Sequence, residues 1–229
     1  MINLTAIVPF YNEENTLRES VERLLNEDIF SEIILSDDNS NDNSSKIAKT
    51  FSNEYQHIKF ISADKNLGKG NAINNAVSIL NTSHVVIHDA DLEYFPEDIV
   101  QMYEKALTNQ NSLILGSRFR GSKKRENVYL RTYVANRIMS IFFSLVNFYW
   151  VSDVATCYKL MPSNFLKTIS IKERGFSIEI EMLSKFLKYN KQIHEVPISY
   201  EGRSYEEGKK IKVSDGIMYI LNTLKYRFI

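Results

Sequence analysis

The sequence predicts an α/β fold, with a mostly parallel central sheet flanked by helices in a single domain. Three observations predict it. Short apolar runs alternate with stretches of helical periodicity from Leu4 to Arg118, the pattern of a parallel sheet. Polar motifs fall where successive strands end: Tyr11-Asn12-Glu13, Asp37-Asp38, Asp64, Asp89-Ala90-Asp91 and Ser117-Arg118. In open α/β sheets ligands bind beyond the carboxyl ends of the strands. Finally, a chain of 229 residues suits one substantial core.

The elements follow in order. LTAIVPF (residues 4–10) reads as a strand, and Asn12 is placed to cap a helix in which Leu17, Val21, Leu24 and Leu25 recur at helical spacing. SEIILSDD (31–38) is a second strand, followed by a polar turn and a helix near Lys46 to Phe51. HIKFISA (57–63) is a third strand, LGKGNAINNAVSILN (67–81) a glycine-opened helix and HVVIHDA (84–90) a fourth strand. Pro96 starts another helix, as proline suits a first turn, and SLILGSR (112–118) is a fifth strand. The rhythm then changes. A polar loop (121–129) precedes a long helix from Leu130 to Phe148. TCYKLM (156–161) and IHEVPISY (193–200) read as late strands around a helix near Ile178 to Leu187, and 213–228 reads as an amphipathic helix. One domain therefore spans 1–229, with a nucleotide-binding half (1–118) and an acceptor-binding half (119–229).

Composition narrows the function. The 28 basic and 28 acidic side chains cancel, so no net field drives binding to nucleic acid or membrane, though local patches remain. The single cysteine, Cys157, excludes an internal disulfide framework, reads as a small buried residue and points to a reducing compartment. The N-terminus has neither a basic start nor a cleavage site. The longest apolar stretch, Ile138 to Val151, has 14 residues, short of the roughly 20 that span a bilayer. It reads as a buried helix or one lying on a membrane surface.

Asp89 and Asp91 follow the apolar run Val85-Val86-Ile87. Carboxylates are costly to desolvate beside a core strand. An Asp-x-Asp pair there either holds a hard cation such as Mg²⁺ or Mn²⁺ or starts a turn.

The ordered set IVPFYNEE, ILSDDNSND, NLGKGNA, IHDADLEY and GSRF resembles the family-2 glycosyltransferases, which have the GT-A (Rossmann-like) fold and use nucleotide sugars. The resemblance covers nearly the whole chain. DVATCYKL, EIE and VPISYEGRSYEEGKKI look like the branch that contains dolichyl-phosphate mannose synthase and bacterial polyprenyl-phosphate glycosyltransferases. Two departures stand out: Ser36 occupies the usual place of a valine, and Asn39 that of a glycine in DDGS. Asn tolerates a left-handed turn, so the loop survives.

The resemblance implies roles. Pro9, Tyr11 and Glu13 lie against the nucleoside, and Asp38 contacts base or ribose with Asp37 beside it. Gly68 and Gly70 admit the donor, and Lys69 meets phosphate charge. Asp89 and Asp91 hold Mg²⁺ or Mn²⁺ across the diphosphate; Glu93 is a third metal-site residue or an exposed carboxylate before Pro96. Arg118 and Arg131 surround the acceptor phosphate. Asp153 is a catalytic base or orients the acceptor and neighbouring arginines. Of Glu179 and Glu181, one reaches the site, with Glu181 the better match and the other solvated. Arg203 and Lys209 contact the diphosphate from a closing loop, or belong to a plain surface loop.

The implied reaction is inverting, metal-dependent transfer of a hexose from a UDP- or GDP-sugar to a polyprenyl or dolichyl phosphate. A phosphate monoester is already anionic and needs positioning more than a base, whereas a sugar hydroxyl needs a general base. The rival reading is therefore the same fold acting on a glycan hydroxyl in cell-surface polysaccharide synthesis. A nucleotidyltransferase fits less well, because VPFYNEE lacks a glycine-rich basic loop, and a non-catalytic sugar-nucleotide module is the last option. A polyprenyl acceptor implies peripheral membrane contact at the cytoplasmic face. Candidate contacts are Lys123, Lys124 and Arg125, the residues Ile138, Phe142, Phe143 and Trp150, and a terminal stripe of Ile217, Ile220, Leu224 and Phe228. Core packing is the plainer expectation for both apolar sets.

Overall fold

The computed structural model describes residues 2–175, 177–203 and 213–229, with backbone alone at 213–215. The first half alternates strand and helix as its apolar runs dictate: β1 Leu4–Phe10, α1 Leu17–Leu25, β2 Phe30–Asp37, α2 Ser44–Glu54, β3 Ile58–Ser62, α3 Lys69–Ser78, β4 His84–Ile87, α4 Glu97–Thr108 and β5 Leu113–Ser117. Then come a short strand β6 Arg125–Glu126, α5 Leu130–Asn147, β7 Lys159–Pro162, α6 Ser163–Thr168, α7 Ile178–Tyr189, β8 Ile193–Pro197, β9 Tyr200–Glu201 and α8 Val213–Phe228.

Seven strands form one sheet in the order β3-β2-β1-β4-β7-β5-β8. All neighbours are parallel except β7, which runs antiparallel to both β4 and β5. The parallel alignment of Phe10 with Asp37, and of Ser117 with Pro197, brings the carboxyl ends of the strands to one edge. β6 and β9 pair separately as a small parallel ribbon.

The central strands are buried on both faces, which explains their unbroken apolar runs. Alternate residues serve two cores. Leu4, Ala6, Val8 and Phe10 pack with α1, α2 and α4, whereas Ile7, Val85 and Ile87 pack with α3, α6 and α7. The sheet thus lies between two helical layers, and its carboxyl edge is left for the polar loops.

Candidate active site

A cleft of about 290 Å³ opens at that edge. It is lined by Pro9, Tyr11 and Glu13 after β1, by Asp38 after β2, by Gly68 and Lys69 at the start of α3, and by Asp89, Asp91 and Glu93 after β4. Arg174, Gly175 and Arg203 close it from the second half of the chain. Neither Asp37, Asp153, Arg118 nor Arg131 lines it.

Each loop is held by its own side chains. Asp38 accepts the backbone N–H of Leu67 (3.1 Å) and of Gly68 (2.5 Å), tying the β2 loop to the start of α3. Asn39 is left-handed at φ 65°. Asp37 is placed otherwise than the resemblance implies. Its carboxylate turns into its own loop, accepting from Ser40 (2.9 Å from the backbone, 2.6 Å from the hydroxyl), Ser45 and Ser62. It builds the loop wall. Leu92, between Asp91 and Glu93, is also left-handed at φ 63°, a conformation that costs a branched side chain energy and marks a constrained turn.

Gly68 lines the cleft, and both glycines also make room for neighbouring backbone. A Cβ at Gly68 would collide with the carbonyl oxygen of Arg174, and one at Gly70 with that of Glu173. The segment 171–175 therefore lies directly on the start of α3. Glu181 pins it: its carboxylate accepts the N–H of Lys172 (2.9 Å) and Glu173 (2.7 Å) and pairs with Lys185 at 2.5 Å.

Glu179 is the glutamate that reaches the site, and neither it nor Glu181 is solvated. Glu179 bridges two lysines. Its Oε1 lies 3.0 Å from Lys69 Nζ, while Oε2 pairs with the fully buried Lys159, which also donates to the Thr156 carbonyl. Lys69 reaches Asp89 as well, at 2.7 Å. Burial alone would lower the Lys69 pKa, but Asp89 and Glu179 outweigh it and hold the ammonium well above its usual range. Sequence reasoning overlooked this chain, although a lysine inside the apolar stretch CYKLM was a signal that a buried carboxylate must answer it.

The carboxylates after β4 are crowded. Burial, then Asp89 and Glu93, push the Asp91 carboxyl up to about 7 against the pull of Arg203. Arg203 lies 3.1 Å from Asp91 and 3.5 Å from Glu13, and its Nε is buried with no hydrogen-bond partner among the described residues. Glu93 is engaged on both oxygens, by the Tyr200 hydroxyl (2.7 Å) and the Arg203 N–H (2.9 Å). It ties the chain at Tyr200 and Arg203 to the loop after β4. Among the described residues no group of three such side chains converges on a metal position. Two hard carboxylates of like charge, completed by phosphate oxygens, still suit Mg²⁺ or Mn²⁺.

Beside the cleft, Arg118 and Asp153 form a buried fork. The Arg118 backbone N–H (3.0 Å) and Nε (2.8 Å) donate to Oδ2, and Nη2 donates to Oδ1 at 2.8 Å. Burial opposes the guanidinium charge, but Asp153 outweighs it and raises the Arg118 pKa further. Asp153 has no exposed surface. Both of its oxygens are held by Arg118. Arg118 lies over the Tyr200 ring at 5.0 Å. Arg131 is exposed on the first turn of α5. Lys209 lies outside the described residues.

Known proteins resemble this chain in sequence and in fold. A UDP-N-acetylglucosamine–dolichyl-phosphate N-acetylglucosaminyltransferase of Methanococcus voltae is 28% identical over 238 residues, covering 96% of this chain and 94% of that protein. A dolichol-phosphate mannosyltransferase of Pyrococcus furiosus is 28% identical over 91% of this chain and 59% of its own length. Glucosyl-3-phosphoglycerate synthase of Mycobacterium tuberculosis, solved with Mn²⁺, UDP-glucose and phosphoglyceric acid, superposes with a TM-score of 0.76 at 16% identity, over 100% of this chain and 80% of that one. That likeness shows the GT-A fold. Residues 5–169 match the description Glycosyl transferase family 2, and the chain belongs to that family of glycosyltransferases.

Proposed function

We propose that this glycosyltransferase moves a hexose from a UDP- or GDP-sugar to a polyprenyl or dolichyl phosphate, inverting the anomeric carbon. The observation that carries the acceptor class is the Arg118–Asp153 fork. A hydroxyl acceptor needs a base, and the candidate base is wholly occupied by an arginine. A phosphate acceptor needs an oriented cation instead, and a guanidinium held by a buried carboxylate is preorganised to supply one. The names of the relatives, dolichyl-phosphate transferases among them, support the same reading.

The donor occupies the cleft, in this reading, with Pro9, Tyr11 and Asp38 toward the nucleoside. Lys69 and Arg203 face the diphosphate, where negative charge grows as the sugar leaves. Asp89 and Asp91 would hold Mg²⁺ or Mn²⁺, which supplies further positive charge at the leaving group when bound. Residues 1–118 form the donor half and 119–229 the acceptor half, though Arg174 and Arg203 cross back to the donor. The polyprenyl acceptor brings the enzyme to a membrane surface, in our reading the cytoplasmic face. No helix among the described residues is long and apolar enough to cross one.

The test is nucleoside-diphosphate release by the purified chain with Mg²⁺ or Mn²⁺, a panel of UDP- and GDP-sugars and a short polyprenyl phosphate in detergent. We expect release to require both lipid and Asp91, to fail in Asp91→Ala, and to yield a lipid-linked sugar. Donor binding without lipid-stimulated release across the panel would overturn the acceptor class and favour a hydroxyl acceptor.

A further inference from the structure

Three arginines meet the segment Ser152-Asp153, and their charges are answered unequally. Arg118 is closed by Asp153 through two side-chain hydrogen bonds. Arg120 pairs with Glu195, its Nε 3.3 Å from Oε2, while Oε1 of Glu195 accepts the Ser152 backbone N–H at 2.6 Å. Arg137 reaches the same segment from α5 and donates from Nη1 to the Ser152 carbonyl at 3.3 Å. It is half-buried and stands three residues before the buried Ser140, on the same side of the helix. Among the described residues no carboxylate pairs with it. The single bond to Ser152 leaves most of its donor fork unused.

One aromatic ring ties this cation to the fork. The Arg118 guanidinium lies 5.7 Å from the centroid of Phe119 and that of Arg137 lies 5.3 Å from it. Phe119 is in turn held edge-on by Tyr133, one turn earlier on α5, at 5.3 Å. The β5 end and α5 thus bring two guanidiniums to one ring.

Charge balance separates their roles. Arg118 and Asp153 cancel as a pair, so the fork offers a phosphate geometry but no net charge. A phosphate monoester carries close to two negative charges near neutral pH. Arg137 is the group beside the fork whose positive charge no carboxylate of the protein offsets, and its planar donors match phosphate oxygens. A purely structural Arg137 needs only its stem on the Phe119 ring, and a neutral side chain of similar length supplies that.

We propose that Arg137 is a second acceptor-binding cation, taking the acceptor phosphate on its unused donors while Arg118 stays locked to Asp153. The assignment rests on the phosphate-acceptor reading above and adds a residue to it.

The test compares binding of a short polyprenyl phosphate with that of the matching polyprenol in the same detergent, by calorimetry on the full chain. We expect the wild type to prefer the phosphate, and Arg137→Met to cut that preference about tenfold or more, the usual weight of a charge-assisted contact. Polyprenol binding should not change. In kinetics the acceptor KM should rise by a similar factor with the donor KM unmoved. Arg137→Lys keeps the charge without the fork and should fall between the two proteins. Should Arg137→Met not fold, as circular dichroism would show, the Arg137→Lys preference decides, expected severalfold below wild type. A preference that survives Arg137→Met would overturn the assignment while the acceptor reading stands, and so would a loss confined to Arg131→Met. A loss equal for phosphate and polyprenol would also overturn it, since packing on Phe119 alone predicts that result. No preference for phosphate in the wild type would remove the acceptor reading and this assignment with it.

Discussion

Glu179 and Lys69 stand 110 residues apart in the chain, yet their charged groups meet at 3.0 Å. The contact links α7 to the start of α3. Through Glu179 a fully buried lysine, Lys159, is linked to the wall of the cleft. Removing Glu179 therefore acts on stability and on the site together. Glu179→Gln should cost about 3–5 kcal/mol, the usual result of stranding a buried charge. It should also raise the KM for the nucleotide sugar by freeing Lys69. Adding Lys159→Met should restore much of the stability and little of the KM, which denaturant titration and donor kinetics would separate.

Gly70 presses against the Glu173 carbonyl, so Gly70→Ala must push the 171–175 segment away. The expected loss is about 1–3 kcal/mol, as for other overpacked sites, with Arg174 displaced from the cleft. Lower denaturation midpoint and weaker donor binding by calorimetry would both be seen.

Asp153→Asn tests positioning against base catalysis. An orienting Asp153 predicts a fall in turnover of about ten- to a hundredfold with the pH–rate profile unchanged in shape. A lost base would instead abolish an ionisation from the acidic limb.

Arg203 sits on Asp91 and Glu13, the ground a divalent cation would share. Arg203→Ala should tighten Mn²⁺ binding severalfold without nucleotide and weaken it with UDP or GDP present, because the guanidinium then faces phosphate. Electron paramagnetic resonance of free Mn²⁺ reads both directions without any turnover.

His88 is buried between the Ser20 hydroxyl (3.1 Å) and the Tyr158 hydroxyl (2.9 Å). Burial, then Arg23, push its pKa down to about 3. The folded protein keeps it neutral while the unfolded chain takes up a proton below its ordinary value near 6.5. Stability is therefore lost as pH falls from about 6.5 toward 3, with a limiting slope of about 1.4 kcal/mol per pH unit. Urea midpoints of the wild type and His88→Gln, measured from pH 7 to 4, should converge as the pH drops.

The first half was legible because its signals are local. Apolar runs announce strands buried on both faces, and polar residues just after them land on one edge because the strands are parallel. That placed Asp38, Asp89 and Asp91 at one edge without any knowledge of contacts, while Lys69 followed from the family resemblance. The late elements were less legible. β7 is a short run whose antiparallel direction depends on β4 and β5, and β6 and β9 are two-residue strands that exist only through each other.

The sequence by itself determined the sheet, its carboxyl edge and the family, since periodicity and ordered motifs are properties of neighbours in the chain. Only the tertiary structure decided which carboxylates face the cleft and which serve the scaffold. Asp37 and Asp38 are adjacent in sequence, yet one builds a loop and the other spans to α3; Glu179 and Glu181 divide in the same way. It likewise decided that the apolar stripe of α5, Leu130, Val134, Ile138, Ile141 and Leu145, faces outward, against the expectation of core packing for Ile138. A stripe at helical spacing shows that a helix has an apolar side, but which side is buried depends on what packs there, and here the hydroxyls of Ser140 and Ser144, bound to the returning chain at Val154 and Val151, took the inner face.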